Sequence, residues 1–217
     1  MNVLKIISVF LLPLLFLSCL KNNYDEIPIE FSRFGIYYPN TKIIKTDNNE
    51  ELTVLNSQHI KVDEETPVRV LVFFIVDELI DDNTAKINIT KIFDITAKLI
   101  IINEENKDSL LRNDPIEFYH LWIAQDYLTF DFIFWGNNKI HYFFVSQNPE
   151  EQTEDKIVLK LHHNANNDVV YSKFKHFISV PIKEFKNIYP DKDSVELLIS
   201  IPENSNTTIK KSIWYKF

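Results

Sequence analysis

Histidine and cysteine are the side chains with the most chemistry to offer here. Among 217 residues there are 6 His and 1 Cys. His162 and His163 are adjacent, and His141 and His176 sit in nearby strand-like segments. Adjacent residues on a strand point to opposite faces, so His162 and His163 cannot readily share one metal ion. His163 continues the face carried by Ile157, Leu159 and Leu161, which predicts a buried, hydrogen-bonded imidazole beside an exposed His162. One Cys excludes a disulfide framework and any Cys-based zinc site. No metal site, catalytic residue or cofactor is expected.

Carboxylates come in runs: Asp63-Glu64-Glu65, Asp77-Glu78, Asp81-Asp82, Glu104-Glu105 and Glu150-Glu151. Such runs read as solvated turns, and none contains the Gly that an EF-type calcium loop needs at its bend. No Gly-x-Ser-x-Gly elbow occurs. Trp122, Trp135 and Trp214, with Tyr127 and Tyr142, could fill a core or stack on sugars, and core filling is the expected outcome. Asp126 reads as a turn residue or side-chain cap. Asp108-Ser109-Leu110 and Asp193-Ser194-Val195 resemble envelope O-glycosylation sequons. The net charge of −8 argues against nucleic acid as a partner. Two Gly leave no room for a phosphate-cradling loop.

The single Cys has a particular place. Lys5 precedes the apolar stretch Ile6–Leu17, which is too short for the roughly 18–20 residues of a membrane-spanning helix and suits a signal peptide. The stretch closes on Phe16-Leu17-Ser18-Cys19, which resembles a bacterial lipobox, with Phe16 where leucine is usual. The expectation is lipid attachment at Cys19, residues 1–18 as leader, and residues 19–30 as a polar tether. Acyl chains contribute about 0.8 kcal/mol per buried CH₂, so several together anchor firmly.

Strand-length apolar groups fill the remainder. Val68–Val76 is nearly continuous and β-branched, as in a strand covered on both faces. Lys86–Ile92 and Ile95–Ile102 follow, and the acidic, Asn-rich Asn103–Pro115 reads as a domain boundary. In Tyr127–Trp135, Leu128, Phe130, Phe132 and Phe134 share one face. Gly136-Asn137-Asn138 predicts a hairpin into Lys139–Ser146. Asn164–Asp168 predicts the next turn, and only Pro181–Asn187 suggests a helical turn. The chain holds 21 Asn, which tolerate the left-handed conformation that Gly usually supplies. The pattern predicts an all-β protein: a small barrel over residues 31–104 and an antiparallel β-sandwich over 105–217.

The C-terminal half resembles the NigD-like lipoproteins of Gram-negative envelopes. The matching pieces are Leu121-Trp122 with Asp126-Tyr127-Leu128, His141, the run Val158–Asp168, and Phe177–Ile182. Thr66–Val70 and Ile89–Lys98 match in the N-terminal half, while Asp47-Asn48-Asn49-Glu50 stands where the family usually has an Asp-Gly turn. The resemblance implies an OB-type barrel before the sandwich and a lipid-anchored protein of the cell envelope, at the outer membrane. It implies a non-catalytic protein-interaction role, with bacteriocin immunity the suggested one. The expected partners are the membrane, through the lipid, and an envelope protein. A glycan partner is the alternative, since OB folds also bind oligosaccharides.

Overall fold

The computed structural model describes residues 28–57, 66–101, 111–147, 149–204 and 207–217. Cys19, Asp63-Glu64-Glu65, Glu104-Glu105 and Ser109 lie outside the described residues.

The first five strands are β1 (Glu30–Tyr38), β2 (Ile43–Thr46), β3 (Glu51–Val54), β4 (Val68–Asp81) and β5 (Thr84–Asp94). They close into a barrel in the order β1-β2-β3-β5-β4, the OB arrangement. Ile44, Val70, Val72 and Ile87 are completely buried in its interior. The alternate side chains of β4 are only partly covered, with Arg69 the exception. Where β1 bends over β2, a Cβ on Gly35 would lie 2.5 Å from the Lys45 carbonyl oxygen. Gly35 is there for close approach, not for a left-handed backbone.

Eight strands form the sandwich: β6 (Leu99–Ile101), β7 (Glu117–Ala124), β8 (Tyr127–Gly136), β9 (Tyr142–Gln147), β10 (Lys156–Asn164), β11 (Ser172–Pro181), β12 (Ser194–Asn204) and β13 (Thr207–Lys216). One sheet runs β13-β12-β10-β9-β6 and the other β11-β8-β7. The β6–β9 and β10–β12 pairs are parallel and the rest antiparallel. Leu128, Phe130 and Phe132 of one sheet pack on Ile157, Leu159, Leu161 and Leu197 of the other, all fully buried. A short helix, α1 (Phe185–Ile188), closes one end with Phe185 in the core, overlapping the stretch where the sequence places a helical turn.

Two sequence expectations change here. Gly136-Asn137-Asn138 does not make a hairpin, because β8 and β9 belong to different sheets. The turn chemistry is real, but the connection crosses the sandwich; β8 pairs instead with β7 and β11, whose apolar faces match it. The stretch Asn103–Pro115 lies between two sandwich strands, β6 and β7, with Asn113 bridged to His163 and Ile116 in the core. The sandwich thus starts by Leu99, ahead of the expected residue 105, because β6 pairs with β9.

Barrel and sandwich meet along a bonded seam. Ser179 pairs through its backbone with Ile95 and Ala97, both at 2.7 Å. Arg69, fully buried, forms a two-pronged ion pair with Asp47, and its Nη2 also reaches Thr129 Oγ1 at 3.3 Å. Trp122 Nε1 donates to the same Asp47 carboxylate at 2.9 Å. A buried charge persists only where it is paired and hydrogen-bonded, and Arg69 meets both conditions across the seam.

Candidate functional site

The turn Gly136–His141 and the turn Asn164–Tyr171 lie side by side at the sandwich end remote from the barrel. From Tyr127 at the seam to Gly136, β8 advances about 30 Å at ~3.3 Å per residue. Asn166 and Asn167 take left-handed φ values of 53° and 55°, the conformation anticipated for Asn in this glycine-poor chain. Lys42, Asn49, Gln125 and Asp126 do the same elsewhere, the last two forming the two-residue turn between β7 and β8.

Asp168 ties the two turns together. Its Oδ2 accepts from the amides of Asn137 at 2.6 Å and Lys139 at 3.3 Å, and faces His141 Nε2 at 3.3 Å. These donors, the Asn137 amide foremost, hold its carboxyl well below the usual carboxylate range. Lys139 Nζ binds the carbonyls of Asn166 and Asn167, and Arg112 Nη1 binds Asn167 Oδ1 at 2.8 Å. A Cβ on Gly136 would lie 2.8 Å from His141 Nε2 and 3.1 Å from Asp168 Oδ2, so only glycine admits this contact.

Inward of Asp168 runs a relay of imidazoles. His141 Nδ1 meets His163 Nε2 at 2.8 Å, and His163 Nδ1 faces the carbonyls of Asp114 and Pro115 at 3.1 and 3.3 Å. With acceptors at both ends, three hydrogen bonds need three ring protons, one more than two neutral imidazoles carry. Phe134 packs against both rings and Phe143 against His163, and His176 lies 4.9 Å from Phe143 between ring centroids. The relay ends on the backbone carbonyls of Asp114 and Pro115.

His163 is buried, as its strand face requires. His162 is also buried, at 4% exposure, which corrects the expectation of an exposed side chain. The outer face of β10 is covered at this point, and His162 Nε2 bonds Ser146 Oγ at 2.7 Å. Burial, aided by nearby Lys160 for His162 and by His141 for His163, lowers both imidazoles to about 4. The Ser146–His162 contact has the composition of a nucleophile and its base. Both residues are covered from solvent, and His162 Nδ1 has no hydrogen-bond partner among the described residues to orient it.

Over this bonded base the tip exposes apolar side chains: Ile140 at 69%, Val169, and Val170 and Tyr171 at 79% each. Tyr142 and Phe174 are exposed at its margin. Rigid turns with outward apolar groups form a contact surface. Sequence reasoning missed this patch, because Val169-Val170-Tyr171 reads as the start of a strand. None of the three tryptophans fills the core, correcting that expectation: Trp122 and Trp135 are half-buried on the outer face of the three-stranded sheet, and Trp214 is exposed on β13. Tyr127 lies half-buried under Arg69, 5.6 Å from ring centroid to guanidinium. Asp126 accepts from Tyr215 OH at 2.6 Å and pairs with Lys186, pinning the β7–β8 turn to β13 and α1. Ser194 opens β12 and is half-buried. The described carboxylate runs, Asp77-Glu78, Asp81-Asp82 and Glu150-Glu151, lie on the β4–β5 hairpin and a 3₁₀ turn at Pro149–Glu151. Among the described residues no helix is long and apolar enough to cross a membrane.

Residues 98–212 match the family model of the NigD-like C-terminal beta sandwich domain. This chain belongs to the NigD-like family. Its fold is shared with a NigD-like immunity protein from Bacteroides caccae, at 20% identity and TM-score 0.68 over 86% of this chain and 97% of that one. A protein provisionally described as a lipoprotein, from Bacteroides fragilis, matches at 12% identity and TM-score 0.63, over 87% and 98%. A protein of unknown function from Bacteroides vulgatus matches at 16% and 0.61, over 86% and 91%. Among curated proteins none matches this chain. The NigD-like sandwich spans the tip, and the family match begins at β6, where the sandwich itself begins.

Proposed function

We propose that this NigD-like chain is a non-catalytic envelope lipoprotein, anchored through Cys19, that binds a partner protein with the tip of its sandwich. The observation that carries the reading is the tip itself: exposed Ile140, Val170 and Tyr171 on turns locked by Asp168. Affinity depends on such preorganisation more than on area, because less conformational entropy is lost on binding. The lipobox-like Phe16-Leu17-Ser18-Cys19 and the Bacteroides fragilis relative support the anchor. The Bacteroides caccae relative, described as a NigD-like immunity protein, supports an immunity role, with a bacteriocin the partner that the family resemblance implies.

Two experiments test this. Cys19→Ala should abolish incorporation of a fatty-acid probe and release the chain from membranes; undiminished labelling overturns the anchor. A photo-crosslinking residue at Val170 in living cells should give one discrete adduct, and one at exposed Lys210 on β13 should give none. Adducts at both positions alike, or at neither, overturn the tip as the binding surface. For immunity, a strain lacking the chain should gain sensitivity to a competitor's bacteriocin, and Val170→Asp should fail to restore protection.

A further inference from the structure

The three-stranded sheet β11-β8-β7 turns one face to the core and leaves the other open beyond the barrel. Register places the open-face side chains in rows. Nearest the seam stands Trp122, in a row with Thr129 and Ser179, which are buried at the seam; then come His120, Asp131 and Phe177, then Glu117, Ile133 and Lys175, and last Trp135 beside Lys173. A register shift between Phe118 and His120 brings Tyr119 to this face as well, 53% exposed, with its hydroxyl on Glu117 Oε1 at 2.6 Å. From Trp122 to Trp135 the track covers about 20 Å at ~3.3 Å per residue.

Rings and polar groups alternate along it. His120 stacks on Trp122 with centroids 5.7 Å apart, and Lys173 and Lys175 lie 5.2 Å from the ring centroids of Trp135 and Phe177. The charges cancel locally: Lys173 pairs with Glu117 at 3.0 Å and Lys175 with Asp131 at 3.3 Å. Asp131 Oδ1 is buried with no hydrogen-bond partner among the described residues. At the seam end the track drops into a cavity of about 540 Å³, walled by Arg33 and Asn48 of the barrel and floored by Trp122, Asp131 and Phe177.

We infer that this face binds a linear, uncharged polysaccharide, independently of the protein-binding tip. A pyranose ring offers a flat C–H face to an aromatic ring and hydroxyls at its edge to paired donors and acceptors. The track supplies both at successive steps, and its self-neutralised charges match a ligand without charge. A nucleic acid or acidic glycan would instead need unpaired lysines. The open cavity takes one end of the chain, with the Asp131 carboxylate in its lining as the acceptor for a hydroxyl.

Native affinity electrophoresis of the full-length chain in detergent tests this, with glucomannan, xylan, amylose or polygalacturonate cast in the gel. Retardation by at least one of the three neutral polymers is expected. Trp135→Ala and Tyr119→Ala should each weaken it by about fivefold. Trp214→Ala, on the other sheet, and Val170→Asp, at the tip, should leave it unchanged. Circular dichroism at the same temperature verifies that each variant is folded. No retardation by any neutral polymer, retardation by polygalacturonate alone, or equal loss in Trp214→Ala overturns the inference.

Discussion

His162 and His163 are neighbours in sequence with opposite partners: Ser146 on one face, and His141 with two carbonyls on the other. Replacing either by Ala removes packing and strands a polar group, and is expected to cost about 1–3 kcal/mol in urea unfolding. A cost under ~0.5 kcal/mol for His162→Ala would mean its face is open to solvent. Both imidazoles are lowered to about 4 in the fold, and His176 is lowered as well. In the unfolded chain a histidine titrates near about 6.5, so the unfolded state binds more protons below that pH. Stability is therefore full above about 6.5 and falls as pH drops toward about 4, by at most ~1.4 kcal/mol per unit for each group. Urea midpoints at neutral and mildly acidic pH measure this slope, and His162→Ala and His163→Ala should each flatten it.

The turns at the tip were legible in sequence as turns, and what they join was not. Gly136 reads as a hairpin glycine, yet its role is to let His141 and Asp168 approach. Gly136→Ala keeps a permitted backbone and adds one methyl in a site with no room, so a cost of about 1–3 kcal/mol is expected from thermal or urea unfolding. At the other end of β8, Gln125 and Asp126 hold a left-handed turn without glycine or asparagine. Their side chains explain the choice: Gln125 Nε2 donates to the carbonyl of Thr46 at 2.7 Å in the barrel, and Asp126 accepts from Tyr215. Tyr215→Phe is expected to cost about 1 kcal/mol in the same assay by removing that bond.

Arg69 couples the two halves of the molecule, because a barrel residue ion-paired to barrel Asp47 also bonds sandwich Thr129. Arg69→Met leaves Asp47 without its buried counter-charge and is expected to cost about 3–5 kcal/mol. The calorimetric profile should change from one cooperative transition to two, as the buried Arg69–Thr129 contact between barrel and sandwich is lost. A retained single transition would locate the coupling elsewhere in the seam. Fragment design follows from β6. A sandwich fragment starting at residue 96 includes the edge strand beside β9 and should unfold cooperatively, and one starting at 116 should be markedly less stable.

The sequence by itself determined the all-β class, the barrel-then-sandwich order, the core faces of β8 and β10, and the use of Asn in left-handed turns. Each of these is local: side-chain alternation at period two and backbone preference act within a few residues. It also pointed to Cys19 and to the NigD-like resemblance through short runs of residues. Only the tertiary structure decided which strands pair, and so that Gly136–His141 crosses between sheets and that Leu99–Ile101 joins the sandwich. It alone covered His162, brought Asp168 to His141 across 27 positions, and opened a face bearing Trp122 and Trp135. The reason is that alternation assigns a side chain to one of two faces, whereas burial depends on what the rest of the chain lays over that face.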